Sequence, residues 1–111
     1  MNFMKQNFEN TNKKGIDIRD LGIDAYAYDY SVIPDLLAIV QANNLTILGG
    51  DVFCYKNAQL THTYDNWHYE KQDSTSDCSK SILQTEKYIR DYVKNHGKHY
   101  YFSIVLEEPI D

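Results

Sequence analysis

Cysteine and proline are both scarce in this chain of 111 residues, at two each, and the 42% of hydrophobic residues never gather into a long run. No segment approaches the roughly 20 apolar residues of a membrane-spanning helix. Two thiols are too few for a disulfide scaffold, and paired structural cysteines suit oxidising compartments and larger sets. Cys54 and Cys78 are therefore expected to stay free, Cys54 as a small core residue of an apolar strand and Cys78 in a Ser-rich loop or first helical turn. Residues 1–15 are polar, with Lys5, Lys13 and Lys14, and lack the apolar stretch of a signal peptide. The expected location is the cytoplasm, with no membrane contact.

Basic residues are also in the minority, 11 Lys and Arg against 16 Asp and Glu, for a net charge of −5. Such a balance opposes nucleic-acid binding. The deficit is local: between Gly15 and Tyr55, Asp17, Asp20, Asp24, Asp29, Asp35 and Asp51 face Arg19 alone. This window either steers a basic partner during encounter or is a solvated face that keeps the chain soluble.

The recurring catalytic signatures are missing. Ser74, Ser76, Ser79 and Ser81 lie in a polar loop and helix start, with no Gly-x-Ser-x-Gly elbow around them. Gly49-Gly50 is not followed by the Lys-Ser or Lys-Thr of a phosphate loop. The pairs His62/His68 and His96/His99 match no zinc spacing, and no Cys-x-x-Cys accompanies them. No catalytic residue, metal or cofactor is expected.

What is present argues for one folded domain. The length suffices for a single core, and ten tyrosines oppose disorder. Residues 1–15 read as a flexible arm and 16–111 as one α+β domain. Ile16 to Tyr30 has no clean period and reads as loops with a short helical turn. Ser31 is a candidate cap for a helix with Pro34 in its first turn, an apolar stripe of Leu36, Leu37, Ile39 and Val40, and a stop at Asn43-Asn44. Thr46–Tyr55 and Leu60–Tyr69 form a hairpin around Lys56 to Gln59. In the first of these strands, Leu48, Val52 and Cys54 fall on one face and Ile47, Phe53 and Tyr55 on the other. A second helix starts near Asp77 and places Ile82, Ile89, Tyr92 and Val93 on one face before His96-Gly97. Tyr100, Phe102, Ile104 and Leu106 then alternate inward on a last strand. The predicted architecture is one small antiparallel or mixed sheet, a hairpin plus a C-terminal strand, packed against two helices.

Two runs stand out. Leu48-Gly49-Gly50-Asp51-Val52-Phe53-Cys54-Tyr55 puts two glycines and an acid inside a β-forming segment, which marks a bulge or a close backbone approach. Tyr64-Asp65-Asn66-Trp67 carries the single tryptophan of the chain. Asp51 either bonds within the hairpin, to a backbone amide, Asn66 or Trp67, or enters a partner's site, and the structural reading is the stronger. Trp67 is read as core ahead of interface anchor. Tyr26, Tyr28 and Tyr30 either present an aromatic face beside Asp24 and Asp29, or Tyr28 plugs the core while the other two stay half-exposed.

In combination, Ile47-Leu48-Gly49-Gly50-Asp51-Val52, Asp65-Asn66-Trp67, Tyr88-Ile89 and Tyr100-Tyr101-Phe102 resemble the immunity protein 40 family, small bacterial antitoxins of polymorphic toxin and contact-dependent inhibition systems. The likeness covers roughly Ile23 to Leu106. It implies a non-enzymatic inhibitor that binds a cognate toxin domain stoichiometrically, and it implies no particular toxin chemistry. The acidic balance adds the expectation of a basic toxin, such as a nuclease. Candidate toxin contacts are Asp17, Asp20, Asp24, Tyr26, Asp29, Tyr30 and Tyr64. The alternatives are a protein-binding α+β module with another partner and, with least support, a small enzyme.

Overall fold

The computed structural model describes residues 16–17 and 26–107; the expected arm of residues 1–15 lies outside the described residues. The first helix takes its start from Asp29 rather than Ser31. The Asp29 carboxylate accepts hydrogen bonds from the Ser31 N–H at 2.9 Å and the Ser31 hydroxyl at 2.6 Å. A 3-10 turn, Tyr30–Val32, then leads into α1, Ile33–Ala42, with Pro34 in its first turn, where no amide is needed. Ile33, Leu36, Leu37 and Val40 are buried, while Ile39 only flanks the core. The Asn43 N–H still reaches the Ile39 carbonyl, and Asn44 takes the left-handed φ of 53° that ends the helix.

Strands β3 (Ile47–Lys56) and β4 (Gln59–His68) are joined by Asn57 and Ala58, both at positive φ. Such a two-residue turn matches the right-handed twist of the strands it joins. Helix α2 spans Asp77–His96 and carries the i,i+4 surface pairs Lys87–Asp91, at 2.8 Å, and Glu86–Arg90, at 3.5 Å. The segment leading into α2 is organised by Asp77, whose buried carboxylate accepts from the Tyr69 hydroxyl and the Gln72 and Ser74 N–H groups. The Tyr69 hydroxyl holds Asp77 below the usual carboxylate range, against the opposing effect of burial. In return, that hydrogen bond pushes Tyr69 up to about 12. Strand β5, Tyr100–Leu106, closes the chain.

The segment before α1 departs from the sequence reading. Ile16–Asp17 and Tyr26–Asp29 are strands, β1 and β2, not loops. Their pairing, with β1 on β2 and β2 on β5, is tertiary, so the short segment needed no periodicity of its own. The sheet runs β1-β2-β5-β3-β4, antiparallel throughout, with β1 a two-residue addition to a four-stranded core. Because β2 and β3 both run opposite to β5, they are parallel to each other, and α1 makes the crossover that parallel strands require. By the same reasoning α2 connects the parallel pair β4 and β5 across β3.

Tyr28, Phe102 and Val52 pair across three strands, as do Ile104, Gly50 and Trp67. All but Gly50 belong to the main core, together with Leu36, Val40, Ile82, Ile89 and Val93 of the helices. Phe53 and Ala27, both fully buried, form a smaller cluster, flanked by Leu60 and Tyr101. The register of β3 on β5 shifts between Ile47 and Gly49. This one-residue bulge turns Ile47 toward the main core, where its N–H bonds the buried Ser81 hydroxyl of α2. Simple alternation had grouped Ile47 with Phe53. Cys78 is buried, Cys54 only half-buried and so not the core residue expected, and both are free. No helix among the described residues is long and apolar enough to cross a membrane.

Candidate partner-binding surface

The two sequence runs form one structural device. Gly49 sits at the bulge with φ 149°, and a Cβ there would fall within 3.0 Å of the Trp67 carbonyl oxygen. A Cβ on Gly50 would fall within 3.0 Å of both the Ser103 carbonyl oxygen and the Trp67 ring. The indole therefore lies over the space that Gly50 leaves empty, as an aromatic side chain covers a glycine on a neighbouring strand. Helix α2 seals it: the Trp67 Nε1–H donates to the buried Thr85 hydroxyl at 3.0 Å, and Tyr88 stacks on the indole at 4.9 Å. Trp67 is 7% exposed.

Asp51 faces the other way. It pairs in register with Asn66, but its carboxylate bonds the His62 Nε2, at 3.1 Å, and neither Asn66 nor Trp67. The reason is a second irregularity. Between the pairs Asp51/Asn66 and Phe53/His62, β3 advances two residues and β4 four. Thr63, Tyr64 and Asp65 thus stand opposite Val52 alone, and the chain bends so that His62 returns toward Asp51. The His62 Nδ1 accepts the Tyr64 N–H at 2.6 Å, so its Nε2 carries the proton donated to Asp51. The Thr63 hydroxyl donates to the Val52 carbonyl at 2.9 Å and accepts the Asp65 N–H at 3.1 Å. The Tyr92 hydroxyl of α2 donates to Asp65 at 2.7 Å. Burial and this bond push the Tyr92 hydroxyl well above its ordinary value, and burial does the same to Tyr88. Tyr64, at φ 72°, is 85% exposed.

The remaining candidate contacts are dispersed. Tyr26, Tyr28 and Tyr30 do not form an outward aromatic face: Tyr28 is buried, while Tyr26 and Tyr30 pack half-buried against the same core. Tyr30 has left the strand for the 3-10 turn, and Asp29 is committed to its cap. Asp29 and Tyr30 also line a 570 Å³ cleft with Tyr55, Lys98, His99 and Tyr101. Asp17 lies in β1 opposite Tyr26, and Asp20 and Asp24 fall outside the described residues. Sequence reasoning missed His62, Thr63, Thr85 and Tyr92 as partners of the motif residues. Thr85 and Tyr92 share a face of α2 at helical spacing, the one signal that could have pointed to them.

The family model described as Immunity protein 40 matches residues 17–106, nearly the whole described structure and both motif runs. The chain belongs to the immunity protein 40 family. No curated protein and no solved structure matches it. Among the described residues of this family member, no group of three or more His, Cys, Asp or Glu side chains could hold a metal ion. Membership of the immunity protein 40 family is consistent with a non-catalytic protein-binding module.

Proposed function

We propose that this chain is an antitoxin that neutralises a cognate bacterial toxin domain by binding it stoichiometrically in the cytosol of the producing cell. The observation that carries this reading is the family match over residues 17–106. The acidic balance supports a basic partner, and the groove of a nuclease, built to hold phosphates, has that character. Inhibition would then act by covering the toxin's active site or blocking an essential motion, with no chemistry by the chain itself.

The test is direct. The neighbouring upstream gene is expected to end in a toxin domain, which is expressed with and without this chain; a metabolic gene in its place counts against the reading. Restored growth and a one-to-one complex in calorimetry are the expected results. Equal killing in both cultures, or no complex between the purified proteins, defeats the reading.

A further inference from the structure

We propose that Tyr64, carried outward on the β4 bulge, is the anchor by which the chain docks into the basic cleft of its cognate toxin domain; this rests on the antitoxin reading above. Four observations converge on it. First, β4 is an edge strand, and two surplus residues interrupt it at Tyr64. Bulges at sheet edges re-aim a side chain and prevent another strand from adding there. A partner at this edge is therefore met by side chains and not by strand addition.

Second, a bulky residue at φ 72° is strained, since only glycine adopts that region freely and asparagine tolerates it. The strain is held in place from several sides, by Thr63 on the Val52 carbonyl, His62 on Asp51 and the Tyr64 N–H, and Tyr92 on Asp65. Strained residues over-determined in this way cluster at functional positions.

Third, the fold gains little packing from the ring. Among the described residues Tyr64 is the most exposed of the large hydrophobic side chains, its ring centred 5.3 Å from that of His62, whereas Trp67 three residues on is buried. Fourth, the surroundings are acidic. Asp65 follows Tyr64 directly, Asp51 bonds the His62 ring that Tyr64 packs against, and no Lys or Arg occurs between Asn57 and Glu70. A tyrosine face beside carboxylates fits a cleft lined with Arg and Lys, where cation–π contact adds to charge pairing.

The measurement is the affinity of the toxin domain that the growth test above identifies, in an inactivated form, for the unmodified chain and for Tyr64→Ala, Tyr64→Gly and Leu83→Ala. Leu83 is a large exposed side chain on α2 and serves as the control. Both Tyr64 variants are expected to bind at least about 30-fold more weakly. Tyr64→Gly should melt no lower than the unmodified chain, because glycine relieves the positive φ. Leu83→Ala should bind unchanged. Tight binding by the unmodified chain together with Tyr64→Gly affinity within about threefold overturns the anchor and leaves the antitoxin reading standing. Absence of binding by the unmodified chain overturns both.

Discussion

Gly50→Ala adds a single methyl group and tests whether the two motif runs are one device. On β3 the new Cβ would lie within 3.0 Å of a backbone carbonyl, that of Ser103 on β5, and of the Trp67 ring on β4. Neither side can give way cheaply. The carbonyl belongs to the central strand pair, and the indole is pinned by Thr85 and Tyr88. Overpacking a core costs about 1–3 kcal/mol, and backbone on one side of the clash puts this site at the upper end. For a domain of this size, each kcal/mol lowers the melting temperature by about 4 °C, so a drop of about 12 °C is expected. Circular dichroism melts and urea titrations measure it, and toxin affinity per folded molecule should change far less than stability. A cycle with Trp67→Leu adds discrimination: removing the ring removes one of the two clashes, so the double variant should lose less than the two singles combined. A melting temperature within about 2 °C of the unmodified chain would refute the close packing of Gly50 under Trp67.

The remaining expectations concern the partners that sequence reasoning missed, pH and charge. Thr85→Val leaves the buried Trp67 Nε1–H without an acceptor and should cost about 1–3 kcal/mol, read from the fluorescence of the single tryptophan during urea unfolding. Asp77 titrates lower in the folded chain than in the unfolded one, so its contribution is complete above about pH 4 and is lost as pH falls through the lowered folded value. Melts between pH 6 and about pH 2.5 should show that loss, and Asp77→Asn should flatten it. For Tyr69, raised in the folded chain, stability is complete below about pH 10 and declines as pH passes about 12. Changing Asp17, Asp20, Asp24 and Asp29 to Asn should slow toxin association and weaken its salt dependence, since the net charge of this acidic window steers encounter and is screened over about 8 Å at physiological ionic strength. Stopped-flow rates insensitive to both salt and the four changes reduce the acidic window to a solvated face.

The sequence made the helices and the central strands legible because each carries a strong local signal. Pro34 and Asn43-Asn44 bracket α1, the i,i+4 pairs mark α2, and alternation from Tyr100 to Leu106 marks β5. Strand β2 was not legible. Its four residues are stabilised by pairing with β5, which lies more than seventy residues away in the chain. The glycine pair announced a bulge, and Gly49 lies in one, but which residue changed face needed the register on β5. The partner of Asp51 was hidden for a related reason. A regular hairpin closed at Lys56 and Gln59 would put Tyr64 opposite it, while the two surplus residues of β4 put Asn66 there and bring His62 within reach. The candidates in β1 and β2 lay in a stretch read as loops with a short helical turn, and periodicity left two readings of its tyrosines open, of which the one with Tyr28 in the core holds.

The two bulges differ in parity, and that difference makes a sharp prediction about β4. Side chains alternate with period two, so one surplus residue flips everything beyond it, as at Ile47, while two surplus residues flip nothing. With two extra residues in β4, Trp67 keeps the face it would hold in a regular strand, and the hairpin carries Tyr64 outward without disturbing the core. Deleting Thr63 and Tyr64 together should therefore leave Asp65 opposite Val52, Trp67 over Gly50 and the Tyr92 hydroxyl within reach of Asp65. That variant should fold with a native tryptophan emission and bind the toxin domain weakly. Deleting Tyr64 alone leaves one surplus residue. Either Trp67 turns to the opposite face, at a cost of about 3–5 kcal/mol for the vacated site, or the hairpin slips at its turn. Thermal melts of the two variants decide it: the two-residue deletion should be the more stable although it removes more of the chain. If the single deletion melts as high as the double, the parity account of β4 fails, and with it the reason that an exposed tyrosine coexists with a buried tryptophan three residues away.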